Sequence, residues 1–268
     1  MNEYQEKLKE RYADLFNADK NKPDWAVKKK AKEENIHPAI PFVGKSYEKT
    51  KLLIYASAEN LNTDCGHLYD DKEALNRREN TYNRNKNKYF PDLHILPVTD
   101  GSLVIVSAYI LKKTGKILQY TTPYEFIEHI AVDNFCKFSI ENSGPNMDYA
   151  GIISKVRYSL KYVEADLKIL EPDMIIMPEK IYNHHEVKQL ITKFVPNCIV
   201  LPIYQINSRN INHPERIRKY VQKDASTIDD LFVEWQKNLK NGITGKTNKN
   251  FNSVYTYLDD IVKRFFVE

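Results

Sequence analysis

The chain has 268 residues, of which 42% are hydrophobic and 12% aromatic, enough to bury a core and to exclude wholesale disorder. Forty basic residues against 36 acidic give a net charge of +4, too mild to imply a nucleic-acid partner unless the charge is clustered. No window approaches the roughly 20 apolar residues of a membrane-crossing helix.

Residues 1–36 are rich in Lys and Glu. Tyr12, Leu15 and Phe16 make one apolar stripe, so one or two helices are expected to pack on the main body, with Lys28, Lys29 and Lys30 on a solvated face. Residues 1–20 have none of the apolar character of a secretory leader, and a cytoplasmic protein is expected. Cys65, Cys136 and Cys198 are odd in number and far apart. They form neither a disulfide framework nor a zinc-spaced pair, which fits a reducing compartment.

His37 to Val43 contains two prolines and is read as an extended entry into the core. Leu52 to Tyr55 is a first buried strand, followed by a loop at residues 56–60. Residues 70–91 are a polar surface excursion. Within it Arg77, Arg78, Arg84, Lys86 and Lys88 alternate with Tyr82 and Tyr89, a pattern able to follow a phosphate backbone and stack bases, or simply to be solvated. Residues 102–113 are read as a helix ending near Gly115, although Leu103 to Val106 has strand propensity.

Ile130 to Val132 is a second strand candidate, ending at Asp133-Asn134-Phe135. Ile153, Val156, Leu160, Val163, Leu167 and Leu170 recur at helical spacing and predict a helix over 149–170, stopped by Glu171-Pro172-Asp173. Met174 to Met177 is a third strand. Val187, Leu190, Ile191 and Phe194 face another helix, and Cys198 to Leu201 is a fourth strand. Two more helices are expected over 226–268, the first opening at Ser226 and Asp229.

Strands that are apolar without alternation, separated by helices, imply an α/β fold. The expected architecture is a three-layer αβα sandwich around a central four-stranded parallel sheet, with N- and C-terminal helical additions. The expected organisation is a helical extension over 1–36, an α/β domain over 37–225 and C-terminal helices over 226–268. Ligands of such sheets bind outside the carboxyl ends of the strands, which directs attention to residues 56–60, 133–137 and 202–213.

The order of these segments resembles the uracil-DNA glycosylase-like superfamily. The residues that carry the resemblance are the entry Pro41-Phe42-Val43-Gly44, the strand ending Ile130-Ala131-Val132-Asp133-Asn134-Phe135, the long helix running into Leu170-Glu171-Pro172-Asp173, and a downstream His213-Pro214. The match covers about residues 38–215. Ala56 and Glu59 stand where the family's first motif has glycine and a nearby proline, and Pro202-Ile203-Tyr204-Gln205 directly follows the last strand.

The resemblance implies hydrolysis of an N-glycosidic bond in DNA, in the manner of a DNA-repair hydrolase. It would place Glu59 as the carboxylate and His213 as proton donor. Ser57, Asn60, Asn134, Phe135 and Tyr204 would surround the base, and Arg77, Arg78, Arg84, Lys86, Arg209 and Arg216 would lie along the nucleic-acid backbone. Asn134 suits the reading of a uracil-like edge because its amide both donates and accepts. Its competing role is a backbone cap. The alternative function is a non-catalytic module that binds nucleic acid or a nucleotide on the same fold.

No cofactor is expected. Some relatives hold an iron–sulfur cluster on four cysteines, which three scattered cysteines do not supply, so no metal cluster is anticipated. The expected partner is DNA or a nucleobase-containing ligand, and no membrane. Gly242 to Thr247 has the look of a phosphate loop, but two residues separate its glycines where four are required. His184 and His185 are adjacent and cannot both face one metal from a regular helix.

Overall fold

The computed structural model describes residues 3–21, 23, 38, 40–58, 111, 114–115, 129–138, 153–203 and 263. The chain divides into two compact units, Met1–Thr81 with Glu128–Pro202, and Tyr82–Ile127 with Ile203–Glu268. The elements below belong to the first unit, except for the last residue of the final strand.

The described elements run α1 (Glu3–Ala18), β1 (Phe42–Val43), β2 (Leu52–Ala58), β3 (Ile130–Cys136), α2 (Ile153–Leu170), β4 (Met174–Pro178), α3 (Glu179–Tyr182), α4 (His185–Phe194) and β5 (Ile199–Ile203). This is an α/β fold on one five-stranded sheet of order β1-β3-β2-β4-β5. β2 pairs in parallel with β3 on one side and β4 on the other. No helix among the described residues is long and apolar enough to cross a membrane.

The sheet differs from the expected four-stranded parallel one, although it contains the four expected strands. The sheet has a fifth strand and is mixed, because β1 pairs antiparallel with β3 through Phe42↔Val132 and Val43↔Ala131. The Gly44 amide extends this pairing to the Ile130 carbonyl at 2.9 Å. β1 escaped the sequence reading because it is two residues long and follows Pro41. Proline lacks the amide a central strand needs, but an edge strand tolerates it.

Two strands also run further than expected. β2 continues through Ala56-Ser57-Ala58, and β3 through Asp133-Asn134-Phe135-Cys136, so the segments read as loops are partly sheet. The two extensions pair with each other, Ala56 with Asn134 and Ala58 with Cys136.

The three parallel strands are apolar on both faces. Leu53, Tyr55, Ala131, Phe135, Ile175 and Met177 join a core cluster with α1, α2 and α4, and Leu52, Ile54, Ile130, Val132, Met174 and Ile176 are withdrawn from solvent as well. Each such aliphatic side chain contributes roughly 1.5–3 kcal/mol on burial.

α1 buries Leu8, Tyr12 and Phe16 at one-turn spacing, with Glu3 and Glu6 favourably placed in its first turn. Its aromatic rings lie against α2 and the end of β3. Tyr12 meets Tyr162 edge-on at 5.1 Å, and Phe16 stacks on Phe138 at 6.1 Å. α2 is the long helix its periodicity predicted, with Val156, Val163, Leu167 and Leu170 buried, but its buried face is wider than the apolar stripe. Ser159, Tyr162 and Asp166 are fully buried, whereas Leu160 is only partly so. At its C-terminus the Tyr47 hydroxyl donates to the Leu170 carbonyl at 3.3 Å, satisfying one of the carbonyls a helix end leaves open.

Candidate functional site

The carboxyl ends of β2 and β3 lie side by side. Parallel register sets Tyr55 beside Asp133 and Ala56 beside Asn134. Of the residues expected around a base, Ser57 lies within β2, between the two alanines that pair with Asn134 and Cys136. Asn134 sits in β3 and is 8% exposed. Phe135 is fully buried, with its ring edge-on to Tyr55 at 5.4 Å. Ser57, Asn134 and Phe135 thus share one end of the sheet, but Phe135 lies on the core face with Tyr55, opposite the face of Asn134, and is closed to a base. Glu59, Asn60, Tyr204, His213, Arg77, Arg78, Arg84, Lys86, Arg209 and Arg216 lie outside the described residues.

Behind this end stands a group of polar residues that the sequence reading missed. Asp133 and Asp166 are completely buried, and Lys137 is 1% exposed. The Lys137 ammonium is bonded to Asp133 Oδ2 and lies 2.8 Å from Asp166 Oδ2. Tyr55 donates to Asp166 Oδ2 at 2.8 Å, and Tyr12 donates to Asp166 Oδ1, with a longer contact of 3.5 Å to Asp133. The ammonium also lies 5.3 Å and 5.4 Å from the ring centres of Tyr12 and Tyr55, within cation–π range.

Local structure explains the convergence. Asp133 precedes Lys137 by four residues along a strand that ends at Cys136, so the chain turns the ammonium back onto the carboxylate. Asp166 comes from the buried face of α2 and Tyr12 from that of α1. The remaining acceptors are also used: the Asn134 amide donates to Asp133 Oδ1 at 2.7 Å, and the Lys137 amide to Ser159 Oγ at 3.1 Å. Buried charges persist only when paired and hydrogen-bonded in this way.

Burial, reinforced by the charges of Asp166 and Asp133, pushes the Tyr12 and Tyr55 hydroxyls well above the ordinary phenol range. They therefore stay protonated and act as donors to the carboxylates. One sequence signal pointed here. Asp166 falls three residues after Val163 and four before Leu170, among positions that a helix turns inward.

Comparison of the chain with known protein families, with curated proteins and with solved structures found no match.

Proposed function

We propose that this chain is a divergent uracil-DNA glycosylase-like protein that holds a nucleobase at the carboxyl ends of β2 and β3. The observation that carries the reading is the register Ala56↔Asn134. It sets the first-motif segment next to an asparagine at the end of parallel strands, where ligands of α/β sheets bind. In this reading helices cover both faces of the sheet and the protein works in the cytoplasm. Asn134 reads the base edge, the segment through Ser57 and Asn60 lies beside it, and Arg77 and Arg78 meet the phosphates.

The reaction would break the bond between C1′ and the base nitrogen. Glu59 stabilises the cationic sugar and orients water, whose oxygen bonds to C1′ and whose proton passes to the carboxylate. The departing base nitrogen takes up a proton from a general acid. Release of uracil from a labelled oligonucleotide tests this reading. Glu59→Gln should lower release by about 10²-fold or more, and Asn134→Ala should weaken oligonucleotide binding. Wild-type protein that neither binds nor cleaves uracil-containing DNA would end it.

A second reading has its own observation. Ala56 stands where the family's first motif has glycine, and an alanine there departs from the residue type that best admits a ligand close to the backbone. A non-catalytic module that binds nucleic acid would show salt-sensitive binding without base release.

A further inference from the structure

We propose that the buried Asp133–Lys137–Asp166 network, closed by Tyr12 of α1, positions Asn134 and so couples the N-terminal helix to the base-binding end of the sheet. This rests on the role given to Asn134 above.

The antiparallel pairing of β3 with β1 reaches Val132. Two residues on, the Asn134 amide donates to the carboxylate of the preceding residue, Asp133, at 2.7 Å. Asp133 is itself held by Lys137, and Lys137 by Asp166 of α2. The Lys137 main chain is tied to the same helix through Ser159. The segment from Asp133 to Lys137 is therefore clamped at both ends, with Asn134 inside the clamp.

Strand geometry turns this clamp into a device for aiming a side chain. Successive side chains leave a strand on opposite faces. Asp133 faces α2, where its partners are, so Asn134 faces the other way. Fixing one carboxylate fixes the pleat and with it the direction of the asparagine amide. Tyr12 reaches both carboxylates from α1, which makes a helix far away in sequence part of the clamp.

The test compares wild type with Tyr12→Phe, which removes one hydroxyl from the network. A control, Tyr47→Phe, removes a buried hydroxyl that bonds Leu170 instead. Amide hydrogen exchange is followed by NMR, and binding of a uracil-containing single-stranded oligonucleotide by fluorescence anisotropy. In Tyr12→Phe the Asn134 amide should exchange about tenfold faster, the size expected when a hydrogen bond to a charged group is weakened. The amides of Leu53 and Ile175 should keep their rates, and oligonucleotide affinity should fall several-fold. Tyr47→Phe should leave the Asn134 amide and the affinity unchanged. If Tyr12→Phe does not fold, Tyr55→Phe should give the same pattern, since it removes the other hydroxyl on Asp166.

Uniform acceleration across β2, β3 and β4, or an unaltered Asn134 amide, overturns the positioning role. Selective release of that amide in a protein that binds no oligonucleotide supports the positioning role and defeats the base-binding one. Binding that Asn134→Ala weakens but Tyr12→Phe leaves intact does the reverse.

Discussion

Lys137 and Asp166, 29 residues apart in sequence, meet at 2.8 Å with neither side chain exposed to solvent. The ammonium is shared with Asp133, so one cation serves two carboxylates. Removing it leaves both carboxylates buried without a countercharge. Lys137→Met should therefore cost about 3–5 kcal/mol, read as a lower urea midpoint. Adding Asp166→Asn should recover part of that loss, because one of the stranded charges is then gone. Full additivity of the two substitutions would show that the residues do not act as a unit.

Asp19, just beyond α1, gives a pH-dependent link between α1 and α2. Burial alone raises its carboxyl, but hydrogen bonds from Lys161, Tyr158 and the Asn21 amide, with the Lys161 charge, outweigh it and hold the group below its ordinary value. A depressed folded value stabilises the protein above the unfolded value, roughly pH 3.9, and the benefit is lost as pH falls through the folded value. Asp19→Asn should cost about 1 kcal/mol at neutral pH and flatten the acid limb of stability below about pH 4. Denaturant titrations across that range would show it.

The end of α2 carries removable strain. Glu171 follows the helix with φ of 43°, a left-handed conformation that a side chain disfavours by about 1 kcal/mol. Its contact with Lys51 is 3.9 Å long, and the glutamate is 73% exposed, so the ion pair adds little. Glu171→Gly should raise stability by about 0.5–1 kcal/mol, seen as a higher melting temperature. An unchanged or lower melting temperature would mean that the lysine contact outweighs the strain.

Thiol chemistry should separate two cysteines. Burial pushes the Cys136 thiol well up, and the nearby Lys137 charge offsets this only in part. Cys198 is partly exposed. Under native conditions at pH 8, iodoacetamide should modify Cys198 while Cys136 reacts only after unfolding, as mass spectrometry of the peptides would report. Rapid native labelling of Cys136 would contradict its burial.

Much of the sheet was legible because its strands are short apolar runs without alternation, a pattern that belongs to strands covered on both faces. Leu52 to Tyr55, Ile130 to Val132 and Met174 to Met177 all lie in strands of the described sheet. α2 was legible from its period. β1 was not, since two residues beside a proline carry no periodic signal. The far ends of β2 and β3 were not either, because small or polar residues such as Ala56, Ser57, Asp133 and Asn134 look like loop. Asp133 is tolerated inside a strand because Lys137 and Tyr12 reach it in space, with Asp166 sharing the same ammonium, and that meeting of three distant segments has no local signature. Asn134 was visible as chemistry, whereas the clamp around it was not.

The two-residue strand β1 also bears on how this sheet ends. Although β1 is outermost in the strand order, Pro41 to Gly44 are withdrawn from solvent. A strand arriving from another molecule therefore meets no open ladder at this border. A charge placed at Phe42 or Val43 would sit in that dry seam and should loosen the edge.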